Sequence, residues 1–214
     1  MRTKTLLLAV ALSAAAVASS LAQSTNVFSV NAVGYVNLVV PPGFSLISNP
    51  LNSTNNTIGS LIPVAPLGTT IYKFDNASSS YSINSMGFGN NWGNPSQTLA
   101  PGDGAFIRNP TATNLTFTFV GEVMQGSQTN VVLSGFSIRS SMWPAAGKVS
   151  TELGLPIRTG DVVYTFDNAS NSYVISSVGF GGTFAAEPSL AIGQSFFMNK
   201  TITTNWVQNF SANN

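Results

Sequence analysis

The residues that could do chemistry in this chain are few. Its 214 residues include no His and no Cys, and only seven are Asp or Glu. Histidine-based triads, thiol nucleophiles and His- or Cys-based metal sites are therefore excluded. No Ser-x-x-Lys occurs, which weakens a serine–lysine mechanism. Glycoside hydrolysis asks for two carboxylates on either side of a scissile bond. Asp75 and Asp167 fall at matching places, each opening an Asp-Asn-Ala-Ser run. Asp and Asn bond their own backbone in turns, and that alone explains them. A calcium loop would need six or more oxygens, and the EF-hand spacing is absent. Of the other acids, Asp103 is matched by Gln194, Glu122 lies between the two repeats, and Glu152 and Glu187 fall in loops. Nothing pairs them. The expectation is a non-catalytic protein with no cofactor and no metal.

Aromatic residues are the remaining lead. Flat rings on a β-protein stack on sugar faces, and Asn bonds sugar hydroxyls. Trp92 sits in Gly-Asn-Asn-Trp-Gly-Asn, a polar loop with little obvious core to fill. A ligand contact there would use Trp92 with Asn90, Asn91 and Asn94, and Phe184 stands near the same position in the second repeat. Packing over the loop base is the competing role for Trp92, since large aromatics commonly bury their ring area so. Trp206 matches Leu115 and is expected inside a strand. The glycines of Gly87–Gly89 and Gly179–Gly182 lack the strand, helix and fixed spacing of a phosphate cradle. They are expected to allow a tight exit with positive φ.

The elements that carry these residues come in duplicate. Tyr72–Gly89 returns as Tyr164–Gly181 with 13 of 18 positions identical and a spacing of 92. A repeat of this kind organises the whole fold. Val39-Val40 and Gly43–Leu46 recur at the same spacing as Val131-Val132 and Gly135–Ile138. Leu99–Gly102 recurs as Leu190–Gly193 at a spacing of 91. Each copy of the long repeat alternates as a β-hairpin. Side chains two apart share a face, so Tyr72, Phe74, Tyr81 and Ile83 lie together, as do Tyr164, Phe166, Tyr173 and Ile175. That face is retained while Lys73 becomes Thr165 and Ser82 becomes Val174. The retained face is expected to be the buried one. Pro41-Pro42-Gly43 reads as a hairpin turn between Tyr35–Val40 and Phe44–Ser48. Short strands with Gly/Pro turns predict an all-β protein, two tandem sandwich- or barrel-like units in a pseudo-twofold relation with little helix.

Composition sets the compartment. Met1–Ala22 has the charges, apolar run and small residues of a secretory signal, so the mature chain is expected to begin at Gln23. The run Leu6–Ala18 is too short to span a bilayer, and no later segment is long enough. The signal would remove two of eight basic residues and none of seven acids, leaving 6 − 7 = −1. That argues against a nucleic-acid or anionic-membrane footprint. Charged residues are only 7% of the chain, against ~25% in ordinary soluble domains. The expected layout is residues 1–22 signal, 23–120 first unit and 121–214 second unit.

The order of Asn31–Asn37, Gly43–Pro50, Thr70–Phe74, Leu99–Gly102 and Phe119–Glu122 resembles exported two-repeat proteins of Verrucomicrobia-like environmental bacteria. The resemblance covers nearly the whole mature chain. It implies an exported bacterial β-protein and carries over no activity or catalytic residue. The second unit departs from the pattern, with Ile192-Gly193 where the first has Pro101-Gly102. A secreted protein of the cell surface or extracellular matrix is the expectation. Its partners would be an extracellular polysaccharide or surface proteins. The alternative is a carbohydrate-binding module built on the Trp92 loop.

Overall fold

A computed structural model describes residues 32–212. The expected signal segment, the expected start at Gln23 and the first residues after it lie outside that range. The described residues are all-β apart from one short helix. In the first half run β1 (Val33–Val40), β2 (Gly43–Ile47), α1 (Ile58–Leu61), β3 (Thr70–Asp75), β4 (Ser80–Ser85), β5 (Ala105–Asn109) and β6 (Leu115–Glu122). The second half has β7 (Gly126–Val132), β8 (Gly135–Arg139), β9 (Gly147–Lys148), β10 (Val162–Asp167), β11 (Ser172–Ser177), β12 (Ser189–Leu190), β13 (Phe196–Lys200) and β14 (Thr204–Phe210).

Two four-stranded sheets have the same order, β2-β5-β3-β4 and β8-β13-β10-β11. Each half adds a two-stranded ribbon, β1-β6 or β7-β14, and β9 pairs with β12. Every one of these pairings is antiparallel. The Pro41-Pro42-Gly43 corner is not a hairpin. β1 pairs with β6 and β2 with β5, so the chain changes sheets there. Gly43 makes the corner at φ 90°, a value that L side chains rarely adopt.

Each half has its own core between its four-stranded sheet and its ribbon. In the first, Leu38 and Val40 of β1 and Phe117 and Phe119 of β6 close over Ile71, Ile107 and the α1 residues Ile58 and Leu61. In the second, Val132, Val163, Phe196, Met198 and Trp206 gather in the same way. A third cluster lies on the other face of both sheets, where Leu46, Phe106 and Ile138 meet Phe44, Tyr72, Phe74, Phe166 and Phe197.

This arrangement corrects the expected core face. The duplicated hairpins turn Ile71, Asn84 and Val163 into the cores. The retained face looks outward: Tyr72, Phe74, Tyr164 and Phe166 are half-buried, and Tyr81 and Tyr173 are exposed. Ile83 and Ile175 are 63% and 61% exposed. The reason is topological. β4 and β11 are edge strands, so their outer-face side chains overhang the third cluster instead of entering it.

Contacts between the halves run reciprocally. Phe74 meets Phe197 with ring centroids 5.0 Å apart, and Phe106 meets Phe166 at 5.4 Å. Ile47 bridges to Gln194, and Asp103 bridges to Arg139. The Asn76 amide donates to the Ser134 and Phe136 carbonyls at 3.0 and 2.7 Å. In mirrored fashion the Asn168 amide donates to those of Pro42 and Phe44 at 2.9 and 2.8 Å. Where the matching positions Gly104 and Ser195 meet, only one has room for a side chain. A Cβ on Gly104 would lie 2.5 Å from both Ile138 Cγ2 and Ser195 Cβ.

Candidate binding groove between the two sheets

The retained aromatic face builds the site that the chain's chemistry-bearing residues do not. Both hairpins start at their turns. Asp75 Oδ1 accepts from the Ser78 amide at 2.9 Å, and the Asp167 carboxylate accepts from Ala169 and Ser170. The bond from the Ser78 amide holds the Asp75 carboxyl below its ordinary value, and the Ser170 hydroxyl does the same for Asp167. The turns close with Ser79 and Asn171 at φ 50° and 51°. Both carboxylates are thus occupied as turn formers, and among the described residues no group of three acids gathers that could hold a metal ion.

Beside the turns, Phe44, Tyr72, Tyr81 and Phe106 of the first half face Phe166, Asn171 and Tyr173 of the second. They enclose an open groove of about 350 Å³. Its rings meet mostly edge to face, the arrangement their quadrupoles favour. Phe44 stands at 88° to Phe106 with centroids 6.4 Å apart, and Phe106 at 89° to Phe166. Phe166 and Tyr173 are 5.5 Å apart at 81°. Among the described residues, no charged side chain lines the groove. Burial, with the Tyr173 phenol beside it, pushes the Tyr81 hydroxyl up to about 12. Burial likewise raises that of Tyr173. Both hydroxyls are therefore neutral donors and acceptors at ordinary pH. Such a site can stack a flat uncharged ligand or receive an apolar ring. The nearby ion cluster, with Lys73 at 2.7 Å and Arg139 at 3.9 Å from Asp103, does not line it.

The expected aromatic loop behaves otherwise. Trp92 is only 5% exposed and belongs to the first core, where its Nε1 donates to the Ile62 carbonyl at 2.7 Å. It cannot stack on a ligand from there. Trp92 bridges to Met86 and the Gly87 amide bonds the Asn91 carbonyl, so the glycine-rich run is a hairpin tip with Trp92 folded under it. Asn90, Asn91 and Asn94 are exposed, but without the ring they frame nothing. The Asn91 amide caps the Phe88 carbonyl, and the Asn94 backbone is held from both sides by the Asn84 side chain. Phe184 is half-buried against the second core and bridges to Val178 as Trp92 does to Met86. Packing over the loop base, the competing role for Trp92, is the one the ring takes, and the ligand role is the one it does not.

The sequence did signal the groove, in a pattern given another meaning. The identity of Tyr72, Phe74, Tyr81 and their counterparts marked the ring-bearing face, and the repeated Asn of the turn marked the clamp between halves. No family model matches the sequence, and no curated protein and no solved structure matches it.

Proposed function

We propose that the protein is an exported, non-catalytic component of the cell surface or extracellular matrix. In this reading two related β units in a pseudo-twofold relation hold one uncharged aromatic groove between them, and that groove is the working site. One observation carries the proposal: seven side chains from both halves converge on an accessible groove without a single charge among them. Rings left accessible in this way mark a binding surface. The resemblance to exported two-repeat bacterial proteins supports the location, and the reciprocal contacts support the twofold relation. Fractionating the source cells and probing intact cells with protease tests the location. A protein found only in the cytoplasm sinks the proposal.

A carbohydrate ligand is the second reading, moved from the Trp92 loop to the groove. Tyr72, Tyr81 and Tyr173 offer flat faces with hydroxyls, and the Asn171 amide lies beside them. Pull-down on insoluble polysaccharides is then expected to retain the wild type, and Tyr173→Ala to weaken retention at least about tenfold, as loss of a binding aromatic does. Equal retention of both proteins counts against the groove.

A further inference from the structure

The groove is not the only apolar feature facing water. Phe88 is 85% exposed and Phe180 is wholly so. Each sits at the tip of a glycine-lined hairpin turn, closed by Gly87 N donating to Asn91 O or by Gly179 N donating to Thr183 O. Positive φ at Gly89, and at Gly181 and Gly182, holds each tip in a conformation other residues rarely adopt. A phenyl ring presented this way twice, by the same motif, is a knob without a partner among the described residues.

We infer that the partner is a second copy of this chain. Phe88 or Phe180 of one copy inserts into the aromatic groove of another, and the protein assembles head to tail. The inference deepens the matrix reading above and rests on it. Four observations select this occupant.

The first is reach. β4 begins at the junction of the halves and runs outward, and Phe88 lies seven residues beyond the groove residue Tyr81. The extended part, Tyr81 to Ser85, spans about 13 Å before the tip, so the ring is carried away from the groove residue Tyr81. Phe180 stands in the same relation to Tyr173.

The second is size. A dry cavity of roughly 150 Å³ suffices to take up benzene, and this groove offers about 350 Å³. The third is charge. Neither the groove lining nor the runs Gly87–Gly89 and Gly179–Gly182 contain a charged residue. Two copies therefore meet there without burying an ion or opposing like charges.

The fourth is number. At the place in the second half that matches Phe44 and Phe106, Phe136 lies flat over Phe197, 5.3 Å away and 17° from parallel. That ring covers the face which Phe44 leaves open by standing on edge. A copy thus has two knobs and an open socket of different shape from either. The contact joins unlike patches, so it closes as a reciprocal pair or a ring where the rotation allows and otherwise propagates into an open chain.

Sedimentation of the mature chain across a concentration series tests this. The wild type is expected to gain mass with concentration. Phe88→Ser/Phe180→Ser, which removes both knobs, raises the concentration of half-assembly at least about tenfold, as loss of an interface anchor does. Tyr173→Glu, which charges the socket, does the same. Mixing these two variants restores a complex, because one keeps the socket and the other the knobs. Should Tyr173→Glu fail to fold, the capped tripeptide acetyl-Gly-Phe-Gly-amide replaces it and is expected to dissolve wild-type assemblies.

A wild type monomeric throughout the series overturns the inference, as does assembly that survives loss of both phenylalanines or the tripeptide. So does a mixture of two folded variants that fails to associate. Binding of the monomeric wild type to neutral phosphatidylcholine vesicles, lost with both phenylalanines, would assign the knobs to a lipid surface and overturn it too. Cell fractionation reads the surface location independently, so failure of self-assembly and failure of the location are told apart.

Discussion

The two halves share a strand order but do not hold their inner sheet by the same chemistry. In the second half, Lys200 at the end of β13 is wholly buried with Asp161, 2.5 Å away. The Lys200 ammonium also donates to the Pro156 carbonyl. Asp161 accepts from the amides of Arg158 and Thr201 and from the Thr201 hydroxyl. In the first half the matching positions are Asn109 and Thr69. There the Asn109 amide donates to the Val40 and Thr113 carbonyls, and Thr69 Oγ1 is buried without a hydrogen-bond partner. One backbone therefore tolerates either a buried ion pair or a neutral amide, provided that the pair is complete. The cost of burying two charges is offset only by their mutual attraction and by further hydrogen bonds, and a half-complete pair is strongly destabilising.

The largest expected effect follows directly. Asp161→Ala leaves Lys200 buried and unpaired and is expected to cost about 3–5 kcal/mol in urea unfolding. Asp161→Thr with Lys200→Asn, which imports the solution of the first half, is expected to lie nearer the wild type than either single change. A double variant as unstable as the sum of the singles breaks the comparison. The pH dependence has a definite sign. Burial opposes ionisation of Asp161, but the Lys200 ammonium and the Thr201 and Arg158 donors outweigh it and hold its carboxyl below the ordinary 3.8. Its stabilisation is present above that value and is lost as pH falls through the lower folded value. Asp161→Ala is expected to flatten this acid limb.

A smaller effect separates the two core tryptophans. Each half buries one indole, from a different point in the sequence: Trp92 in the hairpin tip, and Trp206 in β14. Both donate to a carbonyl of the segment after β2 or β8, Ile62 for Trp92 and Leu153 for Trp206 at 2.8 Å. The complementary positions are filled by Phe184 and Leu115, each packed on its own core. Trp92→Phe leaves the Ile62 carbonyl without that donor and is expected to cost about 1–3 kcal/mol. Trp206→Phe should cost less, because Gln208 Nε2 also donates to Leu153 O. Chemical denaturation of the two variants side by side reads the difference, and the opposite order refutes this account of the two cores.

The smallest effect lies where the halves meet. The Tyr81 phenol is pushed from 10 to about 12, so the folded state favours the neutral hydroxyl. Its contribution is complete below pH 10 and is lost as pH rises through 12. Absorbance titration at alkaline pH is expected to show Tyr81 ionising late, with Tyr173→Phe bringing it earlier. An ordinary titration of every tyrosine would show that the groove is fully open to water.

Much of this was legible in the chain. The hairpins, their Asp-Asn turns and the near-absence of helix among the described residues all follow from period-two alternation and turn chemistry, which act over a few residues. The correspondence of Asn76 with Asn168, and of Phe88 with Phe180, was equally visible. Their use was not, because an amide in a turn looks alike whether it bonds its own loop or the opposite half.

What the sequence determined by itself was local: strands, turns, the repeat and a chain almost free of charge. Which hairpin face is inward was decided only by the tertiary structure. Alternation separates Tyr72, Phe74, Tyr81 and Ile83 from Ile71, Lys73 and Asn84, but a sheet with neighbours on both sides has two apolar faces. The ribbons β1-β6 and β7-β14 cover one face of each sheet and bury Ile71 and Val163, while the edge positions of β4 and β11 leave Tyr81 and Tyr173 exposed. The same holds for Trp92, whose polar neighbours describe the loop, while the fold-back of that loop onto Ile62 decides where the ring goes. Side-chain period is a property of one strand; burial depends on what the other strands leave uncovered.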